Sequence, residues 1–426
     1  MSDRAIKPVP DMREPTAASW LNRNVAGMTV TSFLSDAGHE MVTAVLPGFL
    51  GTIGVAAGAL GWIEGIADAS SSFVKLGAGW YSDRIGHRKG IVGAGYFLTG
   101  TALALFAAAA SWPLVLVGRA LGWFGRGIRG PLRDAMLAES VAPRHRGKAF
   151  GLHRAGDTLG AIVGPLAGVG LLSVLPAHSA SAPFRQIFLL SLIPGLGSVA
   201  SFLVLVREKK RPASSRLGLR TALGDLPVAY RRFLRGVGLF GLGDFSHTLL
   251  ILAATQLLSP AYGGVRAAKI SALLYVLRNV IYAVASFPIG SIADRTNKVA
   301  LLAAGYSIGV LTAAGIAFLM ATRVPSVAHL AIVFCAGGLY IAVEDALEGM
   351  IPAEMVPARS RGTAYGMMGT VNGIGDLGAS ALVGSLWTLV SPSVAFAAAG
   401  FLMLLGAVAV ARDSRNGRGA LCERTD

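Results

Sequence analysis

The chain has 426 residues, of which 53% are hydrophobic and only 14% charged, against roughly 25% charged in ordinary soluble domains. Its formal net charge of +15 lies mostly in short connections between long apolar runs, a distribution that argues against nucleic acid as a partner. Its two cysteines indicate neither a disulfide framework nor a paired metal site. The composition therefore predicts an all-α integral membrane protein.

Twelve apolar segments are each close to the roughly 20 residues with which a helix crosses a bilayer. They run over 25–50, 54–80, 91–110, 114–137, 149–175, 186–206, 236–258, 270–292, 299–321, 327–350, 363–386 and 392–411. A long basic connection divides them into two sets of six. The predicted organisation is a tail over 1–24, a six-helix bundle over 25–206, a linker over 207–235, a second six-helix bundle over 236–411 and a tail over 412–426.

Lys and Arg are unevenly distributed between the two sides of these spans. The tails, the linker and the connections on their side contain 27 of them, whereas the opposite side contains 4. Positive residues are enriched in cytoplasmic loops. Both termini and the linker are therefore predicted to be cytoplasmic, in a bacterial inner membrane.

The two halves resemble each other in sequence. "GWYSDRIGHRK" after span 2 matches "GSIADRTNK" after span 8, and "RHRGKAFG" before span 5 matches "RSRGTAYG" before span 11. Asp36-x-x-His39 in span 1 is matched by Asp244-x-x-His247 in span 7. The common order indicates an internal duplication, and duplicated membrane proteins commonly bind their ligand between the halves, near the midplane.

The stretch "GAGWYSDRIGHRKG" resembles the loop between spans 2 and 3 of the major facilitator superfamily. The resemblance covers essentially the whole chain and implies twelve helices in two six-helix pseudo-repeats around a central cavity. In that superfamily the loop latches the cytoplasmic gate. The resemblance therefore implies a gating role for Gly79, Asp83, Arg84 and Arg88, and for Asp294 and Arg295 in the second copy.

Three further motifs are similar to those of proton-coupled exporters and antiporters. Span 5 has glycine at 156, 160, 164 and 168, which leaves one helix face nearly bare so that a neighbouring helix can approach closely. "LSDAGHEMVTAVLP" resembles the acidic span-1 motif of drug exporters. Arg119 occupies the place of the span-4 arginine that the superfamily associates with proton coupling, although the glutamine of that motif is absent.

Ionisable side chains inside apolar helices are candidates for substrate binding or proton coupling, because a charge in the membrane interior is costly. Asp36, His39 and Glu40 fall on one face of span 1 by their spacing. The further candidates are Asp68, Arg119, Arg126, Arg129, Arg133, His153 and Asp157 in the first half, and Asp244, His247, Glu344, Asp345 and Glu348 in the second.

The arginines of span 4 and the acids of span 10 occupy corresponding places in the two halves. They either contact substrate or form static ion pairs with one another. The two Asp-x-x-His pairs also have two interpretations. Proton coupling or binding of a polar substrate is the first. In the second, Asp36, His39, Asp244 and His247 supply four ligands to a transition metal.

These features predict a secondary active transporter working by alternating access, with proton-coupled export of a small solute as its leading function. Transport of a transition-metal ion, for example iron, is the alternative, and a transport-inactive membrane sensor is a third. No metalloprotease helix, nucleotide-binding glycine loop or serine elbow indicates an enzyme or a cofactor. The expected partners are lipid, the small-molecule or ion substrate and protons, and the resemblance implies a monomer.

Overall fold

A computed structural model describes residues 20–85, 87–142, 145–208, 226–293, 295–356 and 361–422. This part of the chain forms fourteen α-helices and no strand. The helices are α1 (Arg23–Thr52), α2 (Ala57–Ile85), α3 (Lys89–Ala102), α4 (Trp112–Glu139), α5 (Arg146–Val174), α6 (Ala182–Leu190), α7 (Leu192–Leu205), α8 (Val228–Gly241), α9 (His247–Tyr262), α10 (Gly264–Ala293), α11 (Lys298–Thr322), α12 (Val327–Met355), α13 (Arg361–Leu389) and α14 (Pro392–Cys422). A 3₁₀ helix, Leu103–Ala108, continues α3.

The fourteen helices occupy the positions of the twelve predicted spans, since α6 with α7 and α8 with α9 each fill one span. Seven helical segments in the described part are long and apolar enough to cross a membrane: α3 with its 3₁₀ turn, α5, α6 with α7, α10, α11, α12 and α14. The other five, α1, α2, α4, α8 with α9, and α13, contain many of the ionisable groups described below. The count of twelve transmembrane helices stays a prediction, as do the domain boundaries.

Two of the predicted continuous spans are interrupted. Span 6 breaks at Ser191, between α6 and α7. Pro194 lies three residues later and has no N–H to donate back along the helix, which explains the break. Span 7 breaks over residues 242–246, where the Ser246 side chain accepts a hydrogen bond from the Thr248 N–H and starts α9. Asp244 therefore lies in a loop between two helices.

The glycine face of α5 packs against α1, as its spacing predicts. A Cβ at Gly156 would lie 2.8 Å from the Thr29 carbonyl oxygen, and one at Gly160 would lie 2.5 Å from that of Phe33. Both are closer than real Cβ contacts, so only glycine permits this approach of the two backbones. The close packing fixes the face of α1 that carries Asp36.

Hydrophobic packing differs between the two ends of the molecule. At the end where α1 joins α2, here called the closed end, one cluster contains residues of both halves, including Phe49, Leu60, Leu257 and Trp387. At the end where α2 joins α3, the open end, each half has its own cluster. The hydrophobic clusters thus join the halves at the closed end only. Helix α2 also packs closely on α13 as far as Ser72 and Gly373, near the middle of both helices, and hydrogen bonds join the halves elsewhere.

Candidate functional site

A cavity of about 180 Å³ lies between α2 and α4 of the first half and the helices of the second half. Four carboxylates are on its wall, those of Glu64, Asp68, Asp244 and Asp376. Its other lining residues are Trp123, Phe245, Ser246, His247, Leu250, Arg278, Gly309, Thr312, Gly337, Tyr340, Ile341 and Met403.

The break between α8 and α9 forms one wall of this cavity. Gly243 permits it, because a Cβ at that position would overlap the Ala399 carbonyl oxygen of α14. The loop brings Asp244 and Phe245 to the cavity and places His247 at the start of α9. Interrupted helices at binding sites are common in secondary transporters, because irregular backbone at membrane depth is tolerated where it lines a cavity.

A buried ion pair lies on the side of the cavity that the first half forms. The Arg119 guanidinium of α4 donates to one carboxylate oxygen of Glu64 on α2, through Nε at 3.3 Å and NH2 at 3.0 Å. Its NH1 donates to the Thr43 hydroxyl at 2.8 Å and lies 3.5 Å from His39 Nε2. Arg119 and Glu64 are 0% and 1% exposed, so removal of either partner would leave a buried, uncompensated charge.

A second cationic cluster lies on the same helix. Arg126 donates to Asp36 of α1 at 2.7 Å, and Arg129 NH2 lies 3.9 Å from the same carboxylate oxygen. The Arg129 guanidinium also lies 4.1 Å from the centroid of the Tyr96 ring, a distance suited to a cation–π contact. These contacts hold Asp36 in an ion-pair network on α1 and α4.

Arg133 extends this network to α5. It pairs with Asp134 at 2.9 Å and donates to the Ser32 hydroxyl at 3.2 Å. The Ser32 hydroxyl lies 2.7 Å from His153 Nε2, and His153 Nδ1 lies 3.7 Å from Asp157. The predicted His153–Asp157 neighbours therefore belong to a polar chain inside the first half.

Several hydrogen bonds join the halves, and two of these contacts involve the candidates Glu40 and Asp345. The Tyr275 hydroxyl of α10 donates to Glu40 of α1 at 2.8 Å, and both side chains are buried. On the side of the open end, Arg154 of α5 pairs with Asp345 of α12 at 3.0 Å, although both are about half exposed. An exposed pair of this kind contributes about 0–1 kcal/mol, so it is easily broken.

The remaining acids of α12 have different surroundings. Glu348 accepts hydrogen bonds from the Tyr306 hydroxyl at 2.5 Å and from Asn372 at 2.6 Å. Glu344 is half-buried on the same helix. Among the described residues, the arginines of α4 pair with Asp36, Glu64 and Asp134, not with Glu344 or Glu348. The static pairing of span 4 with span 10 is therefore absent from this conformation.

The predicted gate loop is described only in part. Arg88 precedes α3 and pairs with Glu139 at the end of α4 at 2.7 Å, and its backbone N–H donates to Glu208. Gly79, Asp83 and Arg84 belong to α2, but their side chains lie outside the described part, as does Asp294. Arg295 is an exposed residue just after α10. The gating roles stay predictions.

The two Asp-x-x-His pairs are not brought together as one set of ligands. Asp244 and His247 line the cavity, whereas Asp36 and His39 contact the arginines of α4. No three His, Cys, Asp or Glu side chains of the described residues are placed to hold a metal ion. The site also includes Glu64, Arg278 and Asp376, which the sequence predictions did not select. Glu64 is 1% exposed.

Two helical halves around a polar cavity, with a shared hydrophobic cluster at one end, define a multi-pass membrane transporter. The chain belongs to the Major Facilitator Superfamily, whose family profile matches residues 28–377. The chain is 30% identical over 376 residues to an uncharacterized MFS-type transporter of Methanocaldococcus jannaschii, covering 88% of this chain and 91% of that protein.

Other comparisons agree with this family. An uncharacterized protein of Mycobacterium tuberculosis is 25% identical over 389 residues, which is 88% of each chain. Among solved structures, a bacterial homolog of the human lysosomal transporter Spinster, in an inward-facing and unoccupied conformation, superposes with a TM-score of 0.73 at 15% identity. The match covers 93% of this chain and 98% of that one, and it shows the shared fold.

Proposed function

We propose that the chain is a secondary active transporter that works by alternating access and exports a small solute in exchange for protons. The observation that supports this proposal is the arrangement of the hydrophobic clusters. The halves share one cluster at the closed end and have separate clusters at the open end. A carrier needs such a seal on one side of its site, and rocking of the two halves then moves the seal to the other side.

The orientation follows from charge. The tails, the linker and the connections at the open end contain 27 Lys and Arg residues, against 4 at the closed end, so we place the open end in the cytoplasm. The five other helical segments then cross the membrane beside the seven apolar segments, giving twelve spans. An impermeant thiol reagent is expected to label a cysteine at Ser179 from outside, and one at Ser215 only after permeabilisation.

The carboxylates of the cavity supply the proton sites in this proposal. Asp68, Asp244 and Asp376 are half-buried on its wall, and none forms a salt bridge with a described residue. Each can therefore exchange a proton without first breaking an ion pair. Glu64 is also on the wall, and its ion pair with Arg119 connects the carboxylates of the cavity to α4. The absence of a described metal cluster favours a molecular solute over a transition metal.

Purified full-length protein in liposomes tests the proposal. Vesicles with an entrapped pH-sensitive dye are given an imposed pH gradient and a panel of labelled organic cations, anions, neutral solutes and divalent metals. We expect one solute class to accumulate only with the gradient and to move protons in the opposite direction. Solute flux that is independent of the pH gradient would contradict proton coupling. No flux of any solute above that of empty liposomes would favour the sensor.

A further inference from the structure

The cavity has a surplus of negative charge. Four carboxylates line it, and Arg278 is the one Lys or Arg among its lining residues. Arg278 donates to Asn279 at 3.3 Å and lies 5.8 Å from the centroid of the Tyr275 ring. It forms no salt bridge with a described residue. The acids of the cavity are therefore not matched by an equal number of paired cations.

The Glu64 carboxylate has one oxygen that is left without a partner in the described part of the chain. One of its oxygens, Oε2, accepts both hydrogen bonds from Arg119. The other, Oε1, is buried on a side chain that is 1% exposed and has no hydrogen-bond partner in the described part of the chain. An unpartnered carboxylate oxygen in a dry site is costly, and a bound cation or hydrogen-bond donor would remove that cost.

The rest of the wall is apolar and aromatic. Trp123, Phe245 and Tyr340 line the cavity together with Leu250 and Met403. Packing fixes two of these rings, since Phe245 lies edge-on to Phe396 at 4.8 Å and Tyr340 contacts Phe240 at 5.8 Å. Aromatic faces attract organic cations, whereas a bare Na⁺ or Ca²⁺ is held by a compact cage of oxygens. Sixteen residues line this cavity, and most of them have no side-chain oxygen with which to form such a cage.

We propose that this cavity binds an organic cation whose charge lies among the carboxylates of α2, α13 and the α8–α9 loop and whose apolar body packs on the aromatic wall. This inference names the substrate class of the proposed transporter and so rests on that function. Because both halves contribute carboxylates, Asp68 from the first and Asp376 from the second, the bound cation would hold the halves in a common arrangement around it.

Equilibrium binding tests the inference without any transport. Radiolabelled phenyltrimethylammonium is bound to the purified full-length protein in nanodiscs at fixed pH. Unlabelled tert-butylbenzene, a neutral probe of the same shape, and benzoate, an anion, are the competitors. We expect saturable binding that unlabelled phenyltrimethylammonium displaces at a concentration at least ten-fold lower than either competitor. Equal displacement by the neutral probe would overturn the role of charge, and stronger displacement by benzoate would identify an anion site.

Variants locate the site. Asp68→Asn and Asp376→Asn keep the side-chain volume, and each is expected to weaken binding about ten-fold or more. Glu354→Gln is the matched control, because Glu354 pairs with Lys298 on the surface and is expected to leave binding unchanged. Unchanged binding in the Asp68→Asn, Asp376→Asn double variant, confirmed as folded by its thermal melting, would overturn the proposal. A cation that binds without being transported would contradict the proposed function and leave this inference standing.

Discussion

The two Asp-x-x-His sequences occupy matching positions of the duplicated halves, yet their surroundings differ. In the first half, Asp36 lies in the uninterrupted helix α1 and pairs with Arg126 at 2.7 Å. His39 is buried 3.5 Å from Arg119 and lies edge-on to Trp123. This copy is part of a fixed network of charges.

The second copy lies where the helix is broken. Asp244 is in the loop between α8 and α9 and forms no salt bridge with a described residue. His247 stacks on Tyr275, with ring centroids 5.0 Å apart, and its Nε2 has no hydrogen-bond partner in the described part. Both residues line the cavity. This copy is available to a ligand or a proton.

The difference arises from the helices that face each copy. α4 presents arginines to Asp36, whereas the corresponding helix of the second half, α12, contains Glu344, Asp345 and Glu348. A cation therefore neutralises the first aspartate, and no arginine of α12 is present to neutralise the second. A duplicated sequence does not imply a duplicated role, because the partner helix decides what a charge does.

The largest expected effect is a loss of stability when Asp36, in the first Asp-x-x-His pair, is replaced. Asp36→Ala removes the partner of Arg126 and leaves a partly buried cation uncompensated. We expect a loss on the order of 3 kcal/mol in the free energy of unfolding, seen as a lower melting temperature in detergent. The double variant Asp36→Ala, Arg126→Met should recover much of it, because it removes both charges. Equal melting of the single and double variants would contradict the pairing.

Replacement of Asp244, in the second Asp-x-x-His pair, should impair transport and leave stability unchanged. Asp244→Asn breaks no salt bridge in the described structure, so its free energy of unfolding should stay within about 0.5 kcal/mol of that of the unchanged protein, and its melting temperature should change little. Its solute accumulation in liposomes should fall at least ten-fold, because the side chain no longer exchanges a proton. A clearly lower melting temperature would show that Asp244 stabilises the fold and would contradict this prediction. Full accumulation by Asp244→Asn would remove it from the mechanism.

The positions of the helices followed from the sequence because hydropathy and the α5 glycines report burial and close approach directly. The interruptions did not, since an apolar average over a window does not register them. The signals were nevertheless present in Pro194 and in "GLGDFS", where two glycines precede a serine that caps α9.

The site was less predictable than the fold. Spacing shows which residues share a face of one helix, as for Asp36, His39 and Glu40, but it does not show which other helix they meet. Arg278 and Asp376 are isolated charges in apolar segments, and only the tertiary arrangement places both on the cavity wall. Charge counting alone suggested that α4 faces the acids of α12, whereas its arginines pair mainly with α1 and α2.

The smallest expected effect is on the conformational equilibrium, and it concerns Glu40. This residue follows Asp36-x-x-His39 and is not preserved in the second half, where Thr248 occupies the matching position. Tyr275 donates to Glu40 across the two halves, next to the shared cluster of the closed end. Tyr275→Phe keeps the ring and the stacking with His247 but removes this hydrogen bond. We expect opening of the closed end to become easier by about 1.5 kcal/mol, which is roughly a ten-fold change in the equilibrium.

Spin-label distances across the closed end, from Thr52 to Tyr262, measure that equilibrium. The fraction of molecules with the longer distance should rise in Tyr275→Phe. Tyr282→Phe is the matched control, because its hydroxyl joins Arg154 and Asp345 on the side of the open end, where each half has its own hydrophobic cluster. It should leave the closed-end distances unchanged or favour the shorter one. A longer distance in both variants alike would mean that losing either hydroxyl loosens the whole interface, and the asymmetry between the two ends would then lie in the hydrophobic clusters alone.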